Sequence, residues 1–464
     1  MKDDLKSQID KFLFPKSVAI IGASRSPTKF GNLFLRSFVS NEFPGKIYPI
    51  NPKADEISDL KAYKSVLDVP ESIDLSIITT HPNENIAAVK ECVDKGIEAI
   101  IIFSAGYAEI GKDGMAREKE LLSIIKDKAR ILGPNCIGVH SAPGRVSAFP
   151  ATSFDINADI AVLSQSGFLT SLITRIFPMR GAYVSYGISL GNSIDLNICD
   201  FLEYFSQEEH VKYIVMYLEG ISQATRFRKL LEELNHKKKL LIWKPGRTNI
   251  AKSAISTHTA SITGDEKIWN SIFNQYNIFR IDSVEEAINQ VIALKYSDNM
   301  KGCKVGIVGS QGGLIVSTAE NCELHQIPIA KLTENTIQKL TKTIPEFGTN
   351  AKNPVDISIA AAMNYKVYAD AGIITIQDPN VDILLLNGIW MIDSSFIKNL
   401  IDIRKKSDKP IFLIEPTIME KLKSYKKLYE NNIGLAITSH TFIKFLKNAI
   451  NYKQKNNELD MKSS

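Results

Sequence analysis

Ser17-Val18-Ala19-Ile20-Ile21-Gly22-Ala23-Ser24 is the stretch that decides the fold. A short apolar run without polar alternation reads as a strand buried on both faces, the kind found in parallel sheets covered by helices. It enters a tight Gly/Ser turn, and Phe30 to Val39 then reads as a helix. The same grammar repeats outward. Strands are predicted at Lys46 to Ile50, Leu75 to Thr79 and Ala99 to Phe103. Their carboxyl ends carry Asn51-Pro52-Lys53, Thr80-His81-Pro82 and Ser104-Ala105-Gly106. The turn Gly133-Pro134-Asn135-Cys136-Ile137-Gly138 closes this first block. In an open α/β sheet, these strand ends form the ligand crevice.

Two further blocks follow the same alternation of β-branched runs and amphipathic stretches, which signals parallel sheets with crossover helices. In the second, Ile160 to Leu163 leads into Ser164-Gln165-Ser166-Gly167, and Val184 to Leu190 into Gly191-Asn192-Ser193. Tyr213 to Leu218 leads into Glu219-Gly220, and Leu240 to Trp243 into Lys244-Pro245-Gly246-Arg247. The third opens on Lys304 to Val308 and Gly309-Ser310-Gln311-Gly312-Gly313, with strands at Ile383 to Leu386 and Ile411 to Ile414. The division expected is 1–153, 154–300 and 301–464, an α/β chain whose last two blocks are related flavodoxin-like domains.

Composition narrows the function classes. Of 464 residues, 44% are hydrophobic and 23% charged, as in ordinary globular proteins. A net charge of +5 is too mild to argue for nucleic acid, and no basic run is interleaved with aromatics. The cysteines (Cys92, Cys136, Cys199, Cys303, Cys322) lack CxxC spacing, so neither a disulfide framework nor a metal site is expected. The polar start Met1-Lys2-Asp3-Asp4-Leu5 is no signal peptide, and apolar runs such as Val381 to Ile389 are too short to cross a bilayer. A cytoplasmic protein is expected.

The chemistry is sought in the turns. In Ser256-Thr257-His258-Thr259-Ala260-Ser261-Ile262-Thr263-Gly264-Asp265, one imidazole sits in what reads as a small, polar loop before a helix from Asp265. Such a histidine is usually solvated or caps a helix, but it can also be a nucleophile near neutral pH. Ser164-Gln165-Ser166-Gly167 and Ser310-Gln311-Gly312-Gly313 place amides at two helix starts, suited to an anion. Each turn alone is equally explained by packing. Glu219, at a strand end, can orient an imidazole, or simply be solvated. Gly22-Ala23-Ser24-Arg25 also suits a phosphate, although Ser24 stands where GxGxxG would have its second glycine. Asn353-Pro354-Val355-Asp356 reads as a structural turn.

Taken in order, Ile21-Gly22-Ala23-Ser24, Ile50-Asn51-Pro52-Lys53, Gly133-Pro134-Asn135-Cys136-Ile137-Gly138, Ser164-Gln165-Ser166-Gly167, Leu190-Gly191-Asn192, Tyr217-Leu218-Glu219-Gly220, Lys244-Pro245-Gly246-Arg247-Thr248, Thr257-His258-Thr259 and Asn353-Pro354-Val355-Asp356 resemble the ADP-forming acyl-CoA synthetases, relatives of succinyl-CoA synthetase. The resemblance spans about residues 10 to 450. It implies a Rossmann-like CoA-binding domain followed by two flavodoxin-like domains. It also implies conversion of acyl-CoA, phosphate and ADP to acid, CoA and ATP through an acyl phosphate and a phosphohistidine. By motif, His258 would carry the phosphoryl group and Glu219 would orient it. Ser166, Gly167, Gly312 and Gly313 would hold phosphate. Gly22, Ser24, Arg25 and Lys53 would line the CoA site, with Asn135 and Cys136 near the thioester, Cys136 as wall and not nucleophile.

The resemblance further implies an ATP-grasp module for ADP or ATP with Mg, for which no stretch of this chain is long enough. A separate β subunit is therefore expected, as α2β2. Two positions depart from the pattern: Ala260 where Gly usually follows His-Thr, and Ser193 where Lys commonly follows Gly-Asn. The alternatives are a CoA- or acyl-CoA-binding protein without catalysis, and an NAD-dependent oxidoreductase resting on the first turn alone.

Overall fold

The computed structural model describes residues 3–150, 153–259, 264–361, 364–388, 393–416 and 422–463. The chain divides into two compact units, Met1–Pro178 with Tyr183–Asp282, and Met179–Ala182 with Ser283–Ser464.

Among the described residues, the first unit holds two large sheets and one small one. β1 (Ser17–Ile21), β2 (Lys46–Ile50), β3 (Glu56–Ile57), β4 (Leu60–Lys61), β5 (Leu75–Ile78), β6 (Ala99–Ile102) and β7 (Arg130–Leu132) come first along the chain. Five of them form a sheet in the order β2-β1-β5-β6-β7, while β3 and β4 make a small antiparallel pair. Every pairing in the five-stranded sheet is parallel, with Ser17 opposite Lys46 and Ile21 opposite Ile50. All residues of β1 are buried, which is why the run carries no alternation.

The second sheet of this unit comprises β8 (Val139–Ser141), β9 (Val146–Ser147), β10 (Ile160–Ser164), β11 (Val184–Ser189), β12 (Tyr213–Tyr217), β13 (Lys239–Trp243) and β14 (Phe279–Ile281), in the order β14-β13-β12-β10-β11-β8-β9. β8 and β9 precede residue 153, yet they extend this sheet, β8 running antiparallel to β11 with His140 opposite Gly187. Gly187 makes room there: a Cβ on it would meet Thr174 Cγ2 at 2.7 Å and His140 Cβ at 3.4 Å. One apolar core runs through both sheets, from Val18, Ile20 and Phe34 to Leu163, Ile214 and Trp269.

The second unit has one parallel sheet, β16-β15-β17-β18-β19, from β15 (Val305–Gly309), β16 (Val355–Asp356), β17 (Ile383–Asn387), β18 (Ile411–Ile414) and β19 (Gly434–Ala436). Its order matches the parallel part of the preceding sheet, with β15 in the place of β10. The segment 179–182 belongs here: buried Arg180 donates from Nη2 to Asn289 Oδ1 and to the carbonyl of Leu435, both at 3.2 Å. Asn353-Pro354-Val355-Asp356, read as a turn, contributes β16 by its last two residues.

Candidate active site

The turn after β1 is shaped by close approach. Gly22 has φ of +87°, and a Cβ on Gly31 would lie 2.0 Å from the Gly22 carbonyl oxygen. Only a glycine at 31 lets the helix Phe30–Ser40 begin so near the strand end. The turn is then stitched from within. Asn32 Nδ2 donates to the carbonyl of Ser24 at 2.8 Å, and the Ser26 amide donates to Ser24 Oγ at 3.1 Å. Asn51 Nδ2 donates to the carbonyl of Ala23 at 2.7 Å, while Asn51 Oδ1 accepts from the Lys53 amide at 2.8 Å. Arg25 Nε donates to the carbonyl of Glu56 at 2.9 Å. Gly22, Ser24, Arg25 and Lys53 thus gather at the carboxyl ends of β1 and β2.

A cavity of about 460 Å³ lies elsewhere in the same unit. Its walls include Asn135 and Cys136, Gln165, Ser166 and Gly167, Gly191 and Asn192, and Glu219, with Phe30, Phe103 and Phe168 as aromatic faces. β10 delivers Ser164 to its carboxyl end, where the Ser166 amide donates to Ser164 Oγ at 3.0 Å and the helix Gly167–Met179 starts. First-turn amides of a helix have no intrahelical acceptor and favour an anion. β12 delivers Glu219, which is 6% exposed. Its Oε1 accepts from the Tyr217 hydroxyl at 3.3 Å, whereas Oε2 has no hydrogen-bond partner among the described residues. Burial and the adjacent Glu219 charge push the Tyr217 phenol well above its ordinary value, so it stays a donor. Buried Lys244, from the end of β13, donates from Nζ to the Glu219 carbonyl at 2.9 Å; burial draws its ammonium down to about 8 against the pull of the Glu219 carboxylate.

The opposite wall is made of two interlocked turns. Asn135 has φ of +59° and Ser193 +55°. The Asn192 amide donates to the carbonyl of Pro134 at 2.9 Å, and Ile194 to that of Gly133 at 3.2 Å. A Cβ on Gly191 would stand 2.1 Å from the Pro134 oxygen, so glycine is required where these turns touch. Cys136 is 2% exposed, and burial pushes its thiol up to about 12. It is a protonated wall residue, unsuited to nucleophilic attack. Glu109 approaches from behind: burial pushes its carboxyl up, but bonds from Asn192 and from the amides of Gly106 and Tyr107 outweigh that and hold it below the usual range.

Gly312 and Gly313 lie in the second unit, at the start of the helix Gly312–Leu324. They line a cavity of about 520 Å³ together with Ser310, Gln311, Asp356 and Ser358. Ser310 is 1% exposed and its hydroxyl has no partner among the described residues.

The structure therefore brings Glu219, Ser166, Gly167, Asn135 and Cys136 to one cavity. Gly22, Ser24, Arg25 and Lys53 lie at the ends of β1 and β2, and Gly312 and Gly313 line the cavity of the second unit. His258 differs from expectation in its backbone: the segment read as a loop is helical through Asn249–Thr259. Its side chain and residues 260–263 lie outside the described residues, so Ala260 does too. The helix expected from Asp265 is present, Asp265 Oδ1 capping it by accepting from the Lys267 amide at 2.7 Å. The helix Asn249–Thr259 packs against the short turn Ala108–Ile110 that carries Glu109. Gln165, Glu109 and Lys244 were not singled out from the sequence. Their roles depend on partners 54, 83 and 25 positions away, which spacing does not reveal. No group of three or more His, Cys, Asp and Glu side chains able to hold a metal occurs among the described residues, and no helix among them is long and apolar enough to cross a membrane.

Residues 16–142 match the family described as a CoA binding domain, and residues 157–294 the succinyl-CoA ligase like flavodoxin domain. The alpha subunit of acetate–CoA ligase (ADP-forming) II from Pyrococcus furiosus is 34% identical over 378 residues, covering 81% of each chain. Acetate–CoA ligase (ADP-forming) from Methanocaldococcus jannaschii is 36% identical over 346 residues, which is 74% of this chain but 48% of that protein. The chain thus spans about half the length of that relative and most of the alpha subunit. Among solved structures, the dinucleotide-forming acetyl-coenzyme A synthetase 1 of Ca. Korarchaeum cryptofilum, in complex with phosphate and ADP, superposes with a TM-score of 0.81 at 28% identity and 98% coverage of both chains. The chain belongs to the family of ADP-forming acyl-CoA synthetases.

Proposed function

We propose that this chain is the α subunit of an ADP-forming acid–CoA ligase. The observation that carries the reading is Glu219: a buried carboxylate, with Oε2 lacking a partner among the described residues, on a cavity wall shared with the helix start at Ser166 and Gly167. A buried acceptor left unpaired costs about 1–3 kcal/mol, and an imidazole N–H would satisfy it. The relatives named above are ligases.

In this reading, CoA occupies the ends of β1 and β2. Gly22 and Ser24 offer backbone to its phosphates, and Arg25 and Lys53 offer charge. An oxygen of inorganic phosphate attacks the thioester carbonyl carbon. The C–S bond breaks, CoA leaves as thiolate, and an acyl phosphate remains. Asn135 borders the reacting carbonyl, and Cys136 closes the wall. A nitrogen of His258 then attacks phosphorus. The P–O bond to the acyl group breaks and the carboxylate departs, leaving the phosphoryl group on nitrogen. Glu219 accepts from the distal imidazole nitrogen and steadies the cation that forms. The amides at Ser166 and Gly167 receive the phosphoryl oxygens. Gly312 and Gly313 would offer phosphate a helix start of the same kind within the second unit. Transfer to the terminal phosphate of ADP breaks the P–N bond and restores the imidazole.

The relatives named as alpha subunits imply a partner. An ATP-grasp β subunit in an α2β2 assembly would supply the site for ADP or ATP. Mg²⁺ would offset phosphate charge there. The division at 153 and 300 and a cytoplasmic setting accompany this reading. A thiol-release assay tests the first half: the chain is mixed with acetyl-CoA, with and without phosphate, in the absence of nucleotide. Phosphate-dependent release of about one thiol per chain is expected. Release that ignores phosphate would contradict the acyl-phosphate route.

A further inference from the structure

The cavity wall formed by Asn135 and Asn192 is backed by two carboxylates. Asn192 Nδ2 donates to Glu109 Oε2 at 2.8 Å and to Glu118 Oε1 at 3.0 Å. Both carboxylate oxygens accept here, so this amide spends its hydrogens on the two glutamates and its Oδ1 is fixed by elimination. Asn135 Nδ2 donates to that Oδ1 at 3.4 Å. The direction of donation therefore runs one way, from Asn135 to Asn192 to the two glutamates. The glutamates are themselves anchored. Glu109 Oε1 accepts from the amides of Gly106 and Tyr107 at 2.6 and 3.1 Å, and Glu118 Oε1 from that of Ala108 at 3.1 Å. The nearby cation is engaged with other acceptors, Arg117 donating to the Gly106 carbonyl at 2.7 Å and to Asn83 Oδ1 at 2.9 Å.

Asn135 and Asn192 line the cavity; neither glutamate does. A neutral amide at Asn192 could rotate by half a turn at little steric cost, exchanging donor for acceptor. The paired carboxylates remove that freedom. We propose that Glu109 and Glu118 are positioning residues, which fix the polarity of the Asn192–Asn135 amide pair so that the remaining donor capacity of Asn135 is presented to the acyl carbonyl of a bound thioester. This rests on the function proposed above. It goes beyond it in assigning acyl recognition to two side chains that do not touch the substrate.

The test is calorimetric, on the full chain. Acetyl-CoA and CoA are titrated into wild type, Glu109→Gln and Glu118→Gln. Wild type is expected to bind acetyl-CoA more tightly than CoA. The single variants are expected to keep their affinity for CoA and lose about tenfold of that preference, the worth of one hydrogen bond to a polarised group. Asn192→Ala serves as a second probe, should either glutamine variant fail to fold, and is expected to lose the same preference. Equal affinities for both ligands in wild type, or a parallel fall in both affinities in the variants, would overturn the proposal. Because binding is read without turnover, a chain that forms no phosphohistidine still decides this question. Failure of the catalytic reading and failure of the clamp are thus separate results.

Discussion

The main-chain amide of Glu219 donates to Gln165 Oε1 at 2.6 Å, and the same oxygen accepts from Gly220 at 3.1 Å. The side chain of the turn after β10 thereby sets the height at which Glu219 leaves β12. Gln165→Leu would leave two amides without that acceptor. A loss of about 2 kcal/mol in stability is expected. Phosphoryl transfer is expected to fall about tenfold or more, because a displaced carboxylate no longer meets its partner. Gln165→Glu keeps the accepting oxygen and is expected to retain more activity than the leucine variant. Urea unfolding and single-turnover phosphorylation read the two effects separately.

Gly31→Ala places a methyl group 2.0 Å from the Gly22 carbonyl oxygen, which is main chain and cannot turn aside. The helix start must move away from the β1 turn. CoA affinity is expected to drop at least tenfold, by calorimetry, while the second unit unfolds as in wild type. Unchanged CoA binding would remove Gly22 and Ser24 from the CoA site.

Glu219→Gln keeps shape and burial but replaces the accepting carboxylate. Labelling of the histidine by acyl phosphate is expected to slow by a factor of about a hundred, within the range for losing a general base or its orienting group. CoA affinity is expected to hold. Stability is expected to hold or rise slightly, since a neutral amide replaces a buried carboxylate whose Oε2 has no partner among the described residues.

His140 gives the chain a pH response of its own. It is 1% exposed, beside Phe149 and Phe154, and burial draws its imidazole down to about 4, against a small opposing effect of a hydrogen bond with the Val184 backbone. The unfolded chain takes up this proton near pH 6.5 and the folded chain only near 4, so stability falls as pH drops through that window. The loss reaches about 3 kcal/mol at pH 4. His140→Phe is expected to flatten that part of the curve, as read by urea unfolding at pH 7 and pH 4.5. An equal slope in the variant would assign the response to other groups.

Much of this architecture was legible because buried parallel strands leave nearly unbroken apolar runs: β1 and β18 fall where Ser17 to Ile21 and Ile411 to Ile414 place them. The strands that escaped notice, such as β7, β8, β9 and β19, are two or three residues long and take their conformation from neighbours. The helix Asn249–Thr259 escaped because Ser253, Ser256, Thr257 and Thr259 favour turns by local propensity. Turn chemistry pointed to the candidate backbone-bearing residues, Gly22, Ser166 and Gly167. The side chains that hold the walls in place, Gln165, Glu109 and Glu118, act on partners far along the chain. Only the fold joins them.

The most direct test of the central claim is mass spectrometry of the chain after incubation with acetyl phosphate, under conditions that preserve acid-labile phosphoramidates, with His258→Ala in parallel. The account expects one phosphoryl group, on His258, absent from the variant and retained at alkaline pH. A chain that remains unlabelled when an ATP-grasp partner and ATP are also supplied, or that carries the label elsewhere, would contradict it.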